Sequence, residues 1–299
     1  IFPSINNDDI EFIKKKALSA PNKRSRVCVH PNELDLQQEM FISFDGKSYI
    51  KPSHHKVDES FHLIEGRGKY VFFDDMGNFQ FDVRLGSYES DLPFYLRIPE
   101  KLNHTLIPLS KNIVAHEIVG GSFDRSNTIF PKWSKDPKDI DTNKFINKYA
   151  YHPVSKIAPI SFKRISEEAL QCNERLVYIS KRDIEFIKSE MPKTKRKRLR
   201  ILVHPNVDHQ MHEMFVVYSK DTFVQVNKHL GKDESLHILE GEATFIFFDD
   251  IGNIINVTEL SSKKGNNNFF IRVPRNIYHT IIMRSSEIVI HETTPGPFD

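Results

Sequence analysis

His55-Lys-Val-Asp-Glu59-Ser-Phe-His62-Leu-Ile64-Glu65-Gly66 returns later in the chain as His229-Leu-Gly-Lys-Asp-Glu234-Ser-Leu-His237-Ile-Leu239-Glu240-Gly241. Outward from this stretch the likeness continues on both sides. Upstream, Arg26-Val-Cys-Val-His30-Pro matches Arg200-Ile-Leu-Val-His204-Pro. Downstream, Phe72-Phe-Asp-Asp-x-Gly77-Asn78 matches Phe247-Phe-Asp-Asp-x-Gly252-Asn253, and Arg97-Ile-Pro99 with His104-Thr105 matches Arg272-Val-Pro274 with His279-Thr280. His116-Glu117 returns as His291-Glu292, and Phe123-Asp124 as Phe298-Asp299. The offset is 174 between His55 and His229 and 175 between Glu59 and Glu234, so the second copy gains one residue in between. So many matches in one register mark a tandem duplication.

Each copy opens with a helical signal, Asp9–Lys14 in the first and Asp183–Lys188 in the second. Asn6 and Ser180 stand three residues earlier as N-cap candidates with a reciprocal acid, and Pro21 and Pro192 close the segments. The remainder of each copy is β in character. Short runs rich in Phe, Val, Ile and Tyr end in Asp-Asp-x-Gly-Asn turns, which predicts an all-β sandwich or barrel in each half. The expected domains are 1–133 and 177–299, joined by a linker over 134–176 in which 165–176 reads as one helix.

A length of 299 residues fits two domains of ordinary size. With 39% hydrophobic and 27% charged residues, disorder is excluded. The formal charge of +2 gives no reason to expect nucleic acid or an anionic membrane as partner. The basic run Lys193–Arg200 therefore reads as solvated surface, with an anion-binding rim as the alternative. No apolar run reaches the roughly 20 residues of a membrane span, and no basic-then-apolar leader opens the chain. Cys28 and Cys172 form no CxxC pair, which argues against a disulfide framework or a cysteine zinc site and favours the cytoplasm.

Pro99-x4-His104 comes after His55-x3-Glu59-x6-Gly66, and Pro274-x4-His279 comes after His229-x4-Glu234-x6-Gly241. These motifs resemble those of the cupin superfamily, whose first motif ends in His-x-His-x(3,4)-Glu-x6-Gly and whose second is Pro-x-Gly-x2-His. The fold implied is two jelly-roll cupin barrels in tandem, each preceded by a short helix. Arg-x3-His-Pro, Tyr49-x2-Pro52-x2-His55, Glu59-x5-Glu65-Gly66 and the closing Glu-x2-Gly-x-Phe narrow the likeness to the WbuC family, cupin-fold metalloproteins associated with surface-polysaccharide gene clusters. The resemblance covers both copies and omits the linker.

In cupins the histidines and the glutamate bind a divalent metal. Here the first histidine of the pair is replaced by Ser53 and Asn227, and the second-motif glycine by Lys101 and Asn276. The ligand set implied is then His55, Glu59 and His104 in one barrel and His229, Glu234 and His279 in the other. Two imidazoles and a carboxylate suit Zn, Fe, Mn or Ni with open positions. His54 remains an alternative to His55.

Strand parity turns His62 and His237 away from the pocket. His116 and His291 read as structural. His30 and His204 are either strand-leading caps or pocket residues able to move a proton. Arg97, Arg272, Arg26 and Arg200 are candidates for gripping an anionic substrate group. The expected function is a metal-dependent enzyme, isomerase- or epimerase-like, acting on a sugar or sugar nucleotide. A non-catalytic sugar- or anion-binding module and an Fe(II) oxygenase are the alternatives. The two barrels are expected to form an intramolecular pseudo-dimer that could pair further as a homodimer. The longer family-like ending from Gly120 to Trp133 favours the first copy as the intact site.

Overall fold

A computed structural model describes residues 2–156, 158–263, 265 and 267–297. The expected pair Phe298–Asp299 lies outside them. The chain divides into two units, one built from 10–160 and 175–181, the other from 1–9, 161–174 and 182–299.

In the first unit two antiparallel sheets face each other. One orders Val177–Ile179, Tyr95–Ile98, Glu59–Glu65, Asn112–Gly120, Gln37–Asp45 and Arg24–Cys28; the other orders Phe79–Gly86, Arg67–Phe73 and Asn103–Pro108. Alternation decides what lies between them. Ile42, Phe61, Leu63, Leu96 and Ala115 from one sheet meet Tyr70, Phe72, Val83 and Leu106 from the other. The duplicated turn is built as its residues require. Asp74 Oδ1 accepts from the N–H groups of Met76 and Asn78 at 2.9 and 2.8 Å, and Gly77 takes φ 86°. Asp249 repeats the arrangement with Ile251, Asn253 and Gly252.

The second unit arranges its copy in the same strand order, from Arg198–Leu202 through Met211–Ser219, Glu287–Pro295 and Glu234–Glu240 to Asn268–Val273. Its other sheet, Ile254–Ser261, Glu242–Phe248 and Tyr278–Met283, joins through a parallel bridge between Leu260 and Asn268. Both units are jelly-roll barrels, and the fold is a tandem cupin.

The copies exchange their leading strands. Ser4–Asn6, which precedes the first copy, pairs with Asn268–Val273 of the second barrel, with Ile5 opposite Phe270. Val177–Ile179, which precedes the second copy, pairs with Tyr95–Ile98 of the first, with Ile179 opposite Tyr95. Ile5 and Ile179 are counterparts, as are Phe270 and Tyr95, so the exchange is reciprocal and in register. The helices next in the chain are Asn7–Ser19 and Lys181–Glu190. Asn6 Oδ1 accepts from Asp8 and Asp9 N–H at 2.8 and 3.1 Å while Asp9 Oδ2 accepts from Asn6 N–H at 3.0 Å, the reciprocal cap expected from the sequence.

The stretch 134–176 is no free linker. Its helix is Thr142–Ala150, capped by Asp141, and not 165–176. Ile146 and Tyr149 pack on Val71, Phe73 and Ile107, the outward residues of the first barrel's strands. The expected helix over 165–176 is instead a hairpin, Phe162–Ser166 with Ala169–Cys172. Ala169–Cys172 pairs in parallel with Arg198–Leu202, and this tertiary pairing overrides a weak local helical preference. Among the described residues no helix is long and apolar enough to cross a membrane.

Candidate metal centre

Glu59 starts an inward-facing row, Glu59, Phe61, Leu63, on its strand, and His104 and His55 converge on it from two others. His104 Nε2 lies 3.0 Å and His55 Nε2 3.5 Å from Glu59 Oε1. Neither approach has hydrogen-bond geometry, which leaves this buried carboxylate oxygen without a donor. The three ligand atoms all lie within 4.8 Å of one another. A buried carboxylate oxygen facing two ring nitrogens fits a divalent cation, and without one it pairs with the protonated His104 ring.

The surroundings orient the rings. His104 Nδ1 lies 2.9 Å from the Leu102 carbonyl, which places a proton on Nδ1 and turns Nε2 towards Glu59. Lys101, at the glycine position of the second motif, keeps the left-handed backbone at φ 64°, and its N–H donates to the His55 carbonyl at 2.7 Å. Asn276 does the same at φ 65° for His229, at 2.9 Å. The glycine is lost but its conformation, and the tie to the first-motif histidine, remain. His54 Nδ1 lies 2.7 Å from Asn103 Oδ1, and it is His55 whose Nε2 faces Glu59.

The charge state is set by this geometry. Burial alone would raise Glu59, but the two imidazoles outweigh it and hold the carboxyl below its ordinary range. Burial disfavours a charged His104, yet Glu59 raises it overall; at His55 burial prevails and lowers it.

The second barrel repeats the set. His279 Nε2 lies 3.1 Å from Glu234 Oε2 and His229 Nε2 3.4 Å from Glu234 Oε1, again within 4.8 Å overall. His279 Nδ1 faces the Ile277 carbonyl at 3.0 Å. Against burial, the two imidazoles hold Glu234 well below the carboxylate range, and Glu234 in turn raises both histidines.

Ser53 sits where the third imidazole is missing. It exchanges both backbone hydrogen bonds with His104, at 3.0 and 2.8 Å, so the two side chains share a face. We expect Ser53→His to tighten divalent-metal binding by at least about tenfold, or ~1.4 kcal/mol, measured by competition with a chelating dye. Unchanged affinity would show that position 53 does not reach the ion. Asn227 faces His279 likewise, but its side-chain amide donates to the Gln225 carbonyl at 3.0 Å.

A cavity of about 780 Å³ contains the first trio, together with Ser53, Tyr70, Glu117, Arg24 and Arg26. Arg26 was expected here. Tyr70, Glu117 and Arg24 were not, although Glu117 has the parity of the inward Ala115 and could have been found by counting along the strand. Burial and the Glu59 charge push Glu117 up to about 7, against the pull of Arg26 and Arg24. Glu292 stands likewise at about 7, from burial and Glu234.

Other candidates fall elsewhere. His30 Nδ1 accepts from the Glu39 N–H at 3.0 Å, and it is not in the cavity wall. His204 does the same for Glu213 at 3.2 Å, stacks on His212, and lines a separate cavity of about 600 Å³ with Arg200. These are the strand-leading caps. Arg97 and Arg272 are 2% and 1% exposed, and their Nε atoms donate to Asp58 and Asp233 at 3.3 and 3.1 Å. Their strand neighbours Leu96, Ile98 and Ile271 take the inward or core positions, so parity keeps both arginines out of the barrel. His116 and His291 stack on Phe41 and Phe215 and reach Glu39 and Glu213 at 3.2 Å.

Residues 5–85 and 179–260 match the family model described as a domain of unknown function (DUF6016). A search of curated proteins found no match. Among solved structures, the 11S allergen from Cocos nucifera aligns with a TM-score of 0.51 and 11% identity, over 91% of this chain and 85% of that one. The Lactobacillus farciminis oxalate decarboxylase formate complex aligns at 0.49 and 13%, over 92% and 81%. The likeness to the allergen shows the fold alone.

Proposed function

Because this chain belongs to the DUF6016 family, a family described by no activity, its function has to be argued from its site, and we propose that it is a metal-dependent enzyme acting on a sugar or sugar nucleotide in surface-polysaccharide assembly. The observation that carries this reading is the first cavity, where a metal-competent trio, a protonatable carboxyl and two arginines line one space. The likeness of the motifs to the WbuC family supports the substrate class. A bound divalent ion would act as a Lewis acid on a carbonyl or hydroxyl.

The chain's own residues do the rest. Glu59 and the two imidazoles hold the ion. Glu117 replaces His30 as the group that takes or gives a proton, because it lines the cavity and His30 does not. Arg26 anchors the anionic end of the substrate. The hydrophobic lining from Phe61, Tyr70 and Leu106 limits water.

The test incubates the metal-loaded full chain with a panel of nucleotide sugars in deuterated water and monitors them by NMR. We expect an isomerised or epimerised product carrying solvent deuterium, lost in Glu117→Gln. Thermal stabilisation by a sugar without product would replace this reading by a binding module. Oxygen uptake dependent on added Fe(II) would replace it by an oxygenase.

A further inference from the structure

Arg24 and Arg26 lie opposite Phe44 and Ile42 on the neighbouring strand. Their counterparts Arg198 and Arg200 lie opposite Tyr218 and Val216. Opposed residues of an antiparallel pair share a face, and Ile42 and Phe44 belong to the barrel interior. In the first barrel this turns a pair of guanidinium groups to the side of the metal trio, and the second barrel sets its pair at the same register.

In the second barrel a carboxylate sits on that pair. The Phe162–Cys172 hairpin runs along the strand of Arg198 and Arg200 and brings Glu168, 7% exposed, to its turn. Glu168 Oε2 accepts from Arg198 Nε at 2.6 Å and lies 3.9 Å from an Arg200 terminal nitrogen. Its Oε1 accepts from Arg196 Nε. Burial alone would raise Glu168, but Arg198 and Arg196 outweigh it and keep the carboxyl ionised.

In the first barrel the same pair forms no ion pair with a carboxylate among the described residues. Arg26 reaches the Met40 thioether at 3.6 Å, and Arg24 has Asn22 beside it. Both arginines are exposed and line the cavity that holds His55, Glu59 and His104. A guanidinium fork matches a carboxylate or a phosphate oxygen pair, and two exposed forks at one cavity make a binding subsite for such a group.

We propose that both barrels carry the same oxyanion subsite, that Glu168 fills it from within the chain in the second barrel, and that Arg24 and Arg26 hold the carboxylate or phosphate of an incoming ligand in the first. This deepens the reading of the first cavity as the substrate site and rests on it. It makes the two barrels unequal: one receives an anionic ligand, the other holds its own.

The full chain, stripped of metal by dialysis, is titrated calorimetrically with malonate and, separately, with inorganic phosphate. The expected result is one site per chain, weakened at least tenfold by Arg24→Ala with Arg26→Ala. Glu168→Ala and Glu168→Gln each expose a second site, and it persists when the Arg24 and Arg26 replacements are added. A tighter fit of malonate or of phosphate names the group; either one supports the subsite. No binding, two sites in the unaltered chain, or one site in both Glu168 variants would overturn the proposal. Metal content is measured on the same samples before dialysis. Chains without metal that still show this anion pattern would end the enzyme reading and leave the subsite standing.

Discussion

His104→Ala empties the first barrel of metal and leaves the second loaded, so the metal content of the purified chain falls from two equivalents to one. His279→Ala does the same for the other barrel, and the double variant holds none. The reason is the small ligand set: each site offers two imidazoles and one carboxylate, so losing one ring leaves a pair that cannot enclose an ion. Affinity should fall by more than about 100-fold, the upper range for losing even an outer partner of a ligand. Elemental analysis of the variants, with circular dichroism to verify the fold, decides the matter. Two equivalents retained in either single variant would place the ion elsewhere.

Acid should act in the same direction. Glu234 raises His229 and His279, and Glu59 raises His104, so these rings keep a proton to higher pH than an ordinary histidine. Metal must displace that proton. Affinity is therefore full above the raised values and declines as pH drops through them.

Lys69→Met should destabilise the first barrel by about 3–5 kcal/mol, the cost of leaving a buried charge without its partner. Lys69 and Asp82 are both fully buried, with Nζ 3.3 Å from Asp82 Oδ2. Nζ also donates to the carbonyls of Tyr149 and His152 at 2.9 and 2.8 Å, where the Thr142–Ala150 helix ends. Asp82 Oδ1 accepts from the Ser155 N–H at 3.0 Å. The sole tryptophan, Trp133, packs on Phe73 at 5.1 Å between ring centres and reports the unfolding of this face in urea. Lys69→Met with Asp82→Asn removes both charges and should recover most of the loss. A single variant less than about 1 kcal/mol below the parent would refute a charged buried pair. The second copy has Thr244 and Val257 at these positions, where Thr244 instead bonds Glu259 at 2.8 Å.

Much of the site was legible because its spacing follows a known motif. The spacing of His55, Glu59 and His104, read against a known motif, names ligands that the structure brings within 4.8 Å. Parity along a strand separates Glu59 from His62, and the same count extended to Ala115 would have delivered Glu117. The capping roles of His30 and His204, and the ion pairs that bury Arg97 and Arg272, were harder to see. Each depends on a partner strand or a neighbouring carboxylate whose position only pairing defines.

The two candidate metal trios were legible only through the likeness to the cupin motifs; from the amino-acid order alone came the duplication, the β class, the turns at Asp74 and Asp249 and the helix cap at Asn6. All are set by covalent spacing, backbone preference and short-range hydrogen bonds, which act within a few residues or repeat in register. Only tertiary structure decided the exchange of leading strands, the docking of Thr142–Ala150 over Lys69, and the hairpin that sets Glu168 on Arg198. A strand can pair equally well with either of two like partners, and a lysine in a strand is buried only if something covers it. Such choices rest on contacts between segments far apart in the chain, and local sequence carries no trace of them.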